Sequence, residues 1–135
     1  MTTLTTKLEI KSWDEKPYRE FDDGRKFTKA DVALAGTGDQ LESGSFEAIM
    51  FYRADGTSAY VSIMELSATF GGEPGSFVLR GNGDFDGTSA NGSMEIVAGS
   101  GTGGCSGITG TARSVSTHED YPFMPLEVTY ELSAR

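Results

Sequence analysis

Cysteine and histidine are almost missing from this chain, which has one of each, Cys105 and His118. A single cysteine excludes an intrachain disulfide, and the pair cannot assemble the usual thiolate and imidazole zinc frameworks. No metal site and no cofactor are therefore expected, and only an oxygen-ligated cation is left open. Positive charge is scarce too, with 11 Lys and Arg against 20 Asp and Glu and a formal charge of −9. A surface of that sign repels phosphate backbones and anionic lipid headgroups, so neither nucleic acid nor membrane is an expected partner. No run of ~18 apolar residues could form a membrane span. The N-terminal "MTTLTTKLEIKSW" lacks a basic segment followed by an apolar stretch, so no signal peptide is indicated and the expected location is cytoplasmic. No segment carries a helical apolar stripe.

What the chain does contain is glycine, 18 residues of it, falling between short runs rich in Val, Ile, Thr, Phe and Tyr. That is a composition of strands and tight turns. Period-2 alternation predicts eight strands, at Thr5–Trp13, Lys29–Gly36, Gly44–Tyr52, Ser58–Phe70, Ser76–Gly81, Ser89–Val97, Gly107–Thr117 and Leu126–Ser133. The polar stretch Asp14–Thr28 between the first two reads as a loop with room for a helical turn. At 135 residues the chain accommodates one domain, residues 1–135, with a single core.

An internal repeat sharpens this picture. "GSF" starts at Gly44 and at Gly75, and "DGTSA" at Asp55 and at Asp86, both offset by 31 residues (75 − 44 and 86 − 55). Each copy places Asp-Gly between two strand-like runs, as a β-hairpin requires. Sequential antiparallel strands of this number suffice to close, which removes exposed sheet edges. The expected fold is all-β, an eight-stranded antiparallel up-and-down barrel, with a β-sandwich as the alternative. A barrel of ~8 strands has an interior filled by side chains or holding one small ligand.

The third and fourth strands are apolar on both faces. Phe46, Ala48, Met50 and Tyr52 oppose Glu47, Ile49 and Phe51, while Tyr60, Met64, Leu66 and Phe70 oppose Val61, Ile63 and Glu65. Two apolar faces imply that the outside of this hairpin is covered, by another subunit or by the Asp14–Thr28 loop. Glu65, sharing a face with Val61 and Ile63, is the candidate catalytic acid or base, because an apolar setting favours a neutral, poised carboxyl. Pairing with Arg80, or a place near a solvated strand end, is its ordinary reading. Glu47 joins that face if the turn is the three-residue Ala54–Gly56, pairing Arg53 with Thr57. Trp13, Glu47, Tyr52, Tyr60 and Arg80 complete the candidate ligand-binding set, with the single tryptophan at the barrel mouth or in the core.

"GSGTGGCSGITGTA", Gly99–Ala112, has no lysine for a phosphate loop and leads into an alternating strand rather than a helix. It reads as a bulged connection between strands at a barrel corner. Together with "KSWDEKPY", "YRADGTSAYV" and "GSFVLRGNGDFDG" it resembles the bacterial family known as domain of unknown function 3224, over essentially the whole chain. That family is similar in fold to allene oxide cyclase and plant dirigent proteins, whose eight-stranded barrels also carry a Gly-Thr-Gly turn before a late strand. The resemblance implies a barrel with a central cavity, often in oligomers, and implies no reaction. The expectation is binding of a small apolar or aromatic organic molecule. A positioning isomerase or cyclase and a non-catalytic homo-oligomeric interaction protein are the alternatives.

Overall fold

The computed structural model describes residues 1–132 and contains strands and turns with no helix among them. Ser133, the last residue of the eighth expected strand, lies outside the described residues. The strands are β1 (Thr2–Glu20), β2 (Lys26–Ala35), β3 (Leu41–Tyr52), β4 (Ser58–Phe70), β5 (Glu73–Phe85), β6 (Ser89–Ile96), β7 (Thr102–Gly103), β8 (Thr109–Thr117) and β9 (Phe123–Glu131). All pair antiparallel in one sheet. The β4–β5 and β1–β9 pairings close the eight long strands into a ring, and the two-residue β7 pairs with the start of β5.

The repeated Asp-Gly phrases are the turns of two equivalent hairpins. In each, the aspartate accepts backbone N–H groups two or three residues on, Thr57 for Asp55 and Thr88 and Ser89 for Asp86. The glycine after it has positive φ, 89° at Gly56 and 98° at Gly87, where a side chain would be strained.

Two expectations are corrected. Asp14–Thr28 is not a loop, since β1 continues to Glu20 and β2 begins at Lys26 around a tight turn in which Phe21 N–H donates to Arg25 O (2.9 Å). Ser12–Glu20 has a strand partner on the β2 side only, so its ladder rather than burial holds it, and no apolar alternation marks it. Lys11, Lys16 and Pro17 suit such an edge. It therefore does not lie over the outside of β3 and β4, where Ile49, Val61 and Ile63 are exposed. The fifth strand also runs beyond Gly81 to Phe85. Gly81 and Gly83 alternate inward there, and Met94 and Tyr60 occupy the space their missing side chains leave.

The glycine-rich stretch joins β6 to β8 at the end opposite the Asp-Gly turns, as a strand-connecting turn. Gly103 pairs with Gly75, and Gly104 packs so closely on Glu73 that any side chain would collide with its backbone. This connection closes that end, with Cys105 and Ile108 buried in one cluster with Leu41, Leu66 and Phe77, all at 0–1% exposure. Burial pushes the Cys105 thiol above its ordinary range, away from thiolate chemistry.

Candidate functional site

The half of the barrel nearer the Asp-Gly turns is not filled. Its cavity has a volume of about 430 Å³ and is bounded by Trp13 of β1, Phe46 and Tyr52 of β3, Tyr60 of β4, and Met94 of β6. Register builds this wall. Across the ring, Thr28, Met50, Tyr60, Gly83, Gly92 and Ser114 form one inward row, and Ala30, Ala48, Ser62, Gly81, Met94 and Ala112 the next. The Tyr60 hydroxyl lies where side chains at Gly83 and Gly92 would stand. The mouth is wet, with Trp13 45% and Tyr121 70% exposed, and His118 lies there edge-on to Phe85 at 6.3 Å.

A bulge aims Trp13 inward. Ile10 pairs with Leu34, but Lys11 is skipped and Trp13 pairs with Val32, so the inward parity passes from Ile10 to Trp13 and Glu15. The indole ring meets Phe46 edge-on at 5.8 Å.

Behind that wall sits Glu15, half-buried. Trp13 Nε1–H donates to its Oε1 (2.9 Å), while the Tyr52 hydroxyl (2.6 Å) and the Thr28 hydroxyl (2.8 Å) donate to Oε2. Burial alone would push the Glu15 carboxyl up, but the bonds from Tyr52, Trp13 and Thr28, with Lys26 nearby, more than offset it and hold the group below the usual range. Burial, then the bond to Glu15, drive the Tyr52 phenol well above its ordinary range. An ionised carboxylate thus orients two of the cavity's aromatic walls. Nothing in the composition of "DEKPY" marks Glu15; the signal was the shared parity with Trp13 in a longer strand.

The other expected site residues lie outside. The turn is indeed Ala54–Gly56, with Arg53 N–H donating to Thr57 O (2.8 Å), so Glu47, Phe51 and Glu65 share a face. That face is the outer one. Glu65 is exposed there, between its cross-strand neighbours Ser45 and Val78. Glu47 pairs with Lys29 (3.3 Å), and Arg80 pairs with Glu95 (2.6 Å) rather than Glu65. Of the ligand-binding set, Trp13, Tyr52 and Tyr60 line the cavity, and Glu47 and Arg80 do not.

Glu15 makes a pH prediction. A carboxyl whose folded pKa is depressed stabilises its surroundings above the unfolded-state value, and that contribution is lost as pH falls through the folded value. Emission of Trp13, the only tryptophan, is expected to change with a midpoint below the ordinary glutamate value of about 4.3. The Glu15→Gln variant is expected to lack that step, and an unchanged titration in it would remove Glu15 as the cause.

Among the described residues no helix is long and apolar enough to cross a membrane, and no group of three or more His, Cys, Asp or Glu could hold a metal ion. No curated protein matches the sequence. A solved structure of a protein of unknown function from Shewanella oneidensis MR-1, of the DUF3224 family, is similar with a TM-score of 0.76 and 24% identity over 99% of each chain. At that identity the likeness speaks to fold alone. The profile of the family described as "Protein of unknown function (DUF3224)" matches residues 4–128. The chain belongs to the DUF3224 family, and its barrel is the fold that a solved member of that family shares.

Proposed function

We propose that this chain binds a small, largely apolar organic molecule in the upper half of its barrel, the half nearer the Asp-Gly turns. The observation that carries the reading is the asymmetry of the interior. One half is closed with buried aliphatic and aromatic side chains, and the other holds an aromatic and methionine-lined space of about 430 Å³ with an open mouth. That volume falls within the roughly 300–1,000 Å³ of small-molecule sites. Methionines 50, 64, 94 and 124 give the lining adaptable, polarisable surface. Titration with N-phenyl-1-naphthylamine, a neutral apolar fluorophore, tests it. Saturable binding of one equivalent per chain is expected, and a linear, non-saturating response would oppose the reading. An isomerase built on Glu65 finds no support, because that carboxylate faces solvent on the outer wall.

A second reading, homo-oligomer formation, rests on a different observation. Ile49, Val61 and Ile63 are 47%, 57% and 46% exposed on adjacent strands, and Phe51 continues the face to Phe27 with ring centroids 5.1 Å apart. Contiguous apolar patches of this kind mark contact surfaces. Light scattering at micromolar concentration is expected to give at least a dimer mass, reduced to the monomer by Val61→Asp; a wild-type monomer would dismiss this reading.

A further inference from the structure

Resting on the cavity reading above, we infer that the ligand is an uncharged molecule bearing one or two oxygen functions, held by hydroxyl groups of β4 and excluded from the site if it carries a formal charge. The cavity lining lacks formal charge. Among the described residues no Asp, Glu, Lys or Arg side chain lines the cavity, and His118 is confined to the mouth. Nearby charges are already engaged outside it. Glu15 accepts three hydrogen bonds from behind Trp13 and Tyr52, Lys26 Nζ lies 5.0 Å from the centroid of the Tyr52 ring, and Asp84 stands 4.0 Å from Arg53. A carboxylate or ammonium entering this space would lose its hydration and gain no opposite charge, at a cost far above that of a neutral polar group.

Hydroxyl groups, in contrast, are present and idle. Ser58, Tyr60 and Ser62 occupy alternate positions on the inner face of β4, and Ser116 faces them from β8 across Phe85 and Ala90. None of these four hydroxyls makes a hydrogen bond to another described residue, whereas Ser114 donates to Pro125 O and Thr117 is engaged with Asp120. Ser58 is only 4% exposed as a residue, yet no buried side-chain oxygen among the described residues lacks a partner, so its unpaired hydroxyl opens onto the cavity rather than into packed protein. Accessible hydroxyls with no protein partner on the wall of an otherwise apolar cavity are where a ligand's polar atoms belong. Side chains two apart on a strand stand about 6.6–7 Å apart, which sets the reach between oxygen functions that could use the row together. Each hydroxyl can donate or accept, and burial, then the charge of Asp84, pushes the Tyr60 phenol up and keeps its proton in place as a donor. Alcohols, ketones and phenols on an apolar skeleton fit this pattern.

The test compares four molecules of one skeleton at pH 7 by calorimetry: naphthalene, 2-naphthol, 2-naphthoate and 2-naphthylmethylammonium. The expected order puts 2-naphthol first, at least about tenfold tighter than either ion, since desolvating an unpaired charge costs more than one hydrogen bond returns. In the Ser58→Ala, Ser62→Ala double variant its affinity is expected to fall about two- to tenfold, with naphthalene unchanged. Equal binding of all four, or tightest binding by an ion, would overturn the inference and leave the cavity reading standing. Unaltered 2-naphthol affinity in the double variant would overturn the role of the β4 hydroxyls. Binding of none of the four would overturn the cavity reading itself.

Discussion

Phe77→Ala is expected to lower unfolding free energy by about 3–5 kcal/mol, whereas Phe46→Ala is expected to cost less than about 2 kcal/mol. Both residues are phenylalanines on the inner face of the same ring. Phe77 on β5 is 1% exposed, within a cluster that includes Leu41, Leu66, Cys105 and Ile108, and the floor built by the glycine-rich connection has little freedom to collapse into the void. Phe46 on β3 is only partly buried, faces the cavity, and contacts Trp13 edge-on. Much of one face of its ring has no packed neighbour to lose. With total stabilities of about 5–15 kcal/mol, the first loss threatens folding and the second does not. Urea unfolding of both variants measures the difference. Equal losses would mean that the two halves of the barrel are packed alike.

Ser62→Trp is expected to abolish binding of N-phenyl-1-naphthylamine, weakening it at least about 100-fold, or some 2.7 kcal/mol, while the unfolding midpoint stays level or rises. Ser62 sits in the inward row between Ala48 and Gly81, half-buried and without a hydrogen-bond partner among the described residues, so its replacement breaks no bond. An indole there would project into space that is open in the native chain, where it displaces a ligand rather than a neighbour. A well-folded variant that retained full affinity would place the probe elsewhere on the molecule.

Local pattern made much of this fold legible. Alternation found β4 with both its ends, Ser58 and Phe70, and the duplicated Asp-Gly phrases located two of the turns. Parity was another matter. Both faces of β3 and β4 are apolar, one because it lines the cavity and the other because it carries Ile49, Val61 and Ile63. Hydrophobicity alone therefore does not say which face turns inward, and the apolar neighbours that suggest a poised role for Glu65 lie with it on the outer face. The β1 bulge at Lys11 is equally silent in composition, yet it decides that Trp13 and Glu15, rather than Ser12 and Asp14, turn toward the interior. Glu15 was hidden for a further reason. Five of the nine residues of Ser12–Glu20 are charged, and such a segment, held at the rim by its ladder, looks like a loop until its partner strand is known.

The β4 hydroxyls illustrate the same limit. Nothing in "SAYVSIMEL" marks Ser58 and Ser62, and only closure of the ring places them together in the cavity wall with Ser116. Two separate demands thus fall on one strand, whose inner face offers polar contacts in the cavity while its outer face presents Val61 and Ile63 to solvent.

The most direct test of a ligand cavity in this barrel is a crystal structure with N-phenyl-1-naphthylamine bound. Density for the probe between Trp13, Phe46, Tyr60 and Met94 is the predicted result. Density instead on the outer face over Ile49 and Val61, with side chains filling the upper barrel, would contradict it.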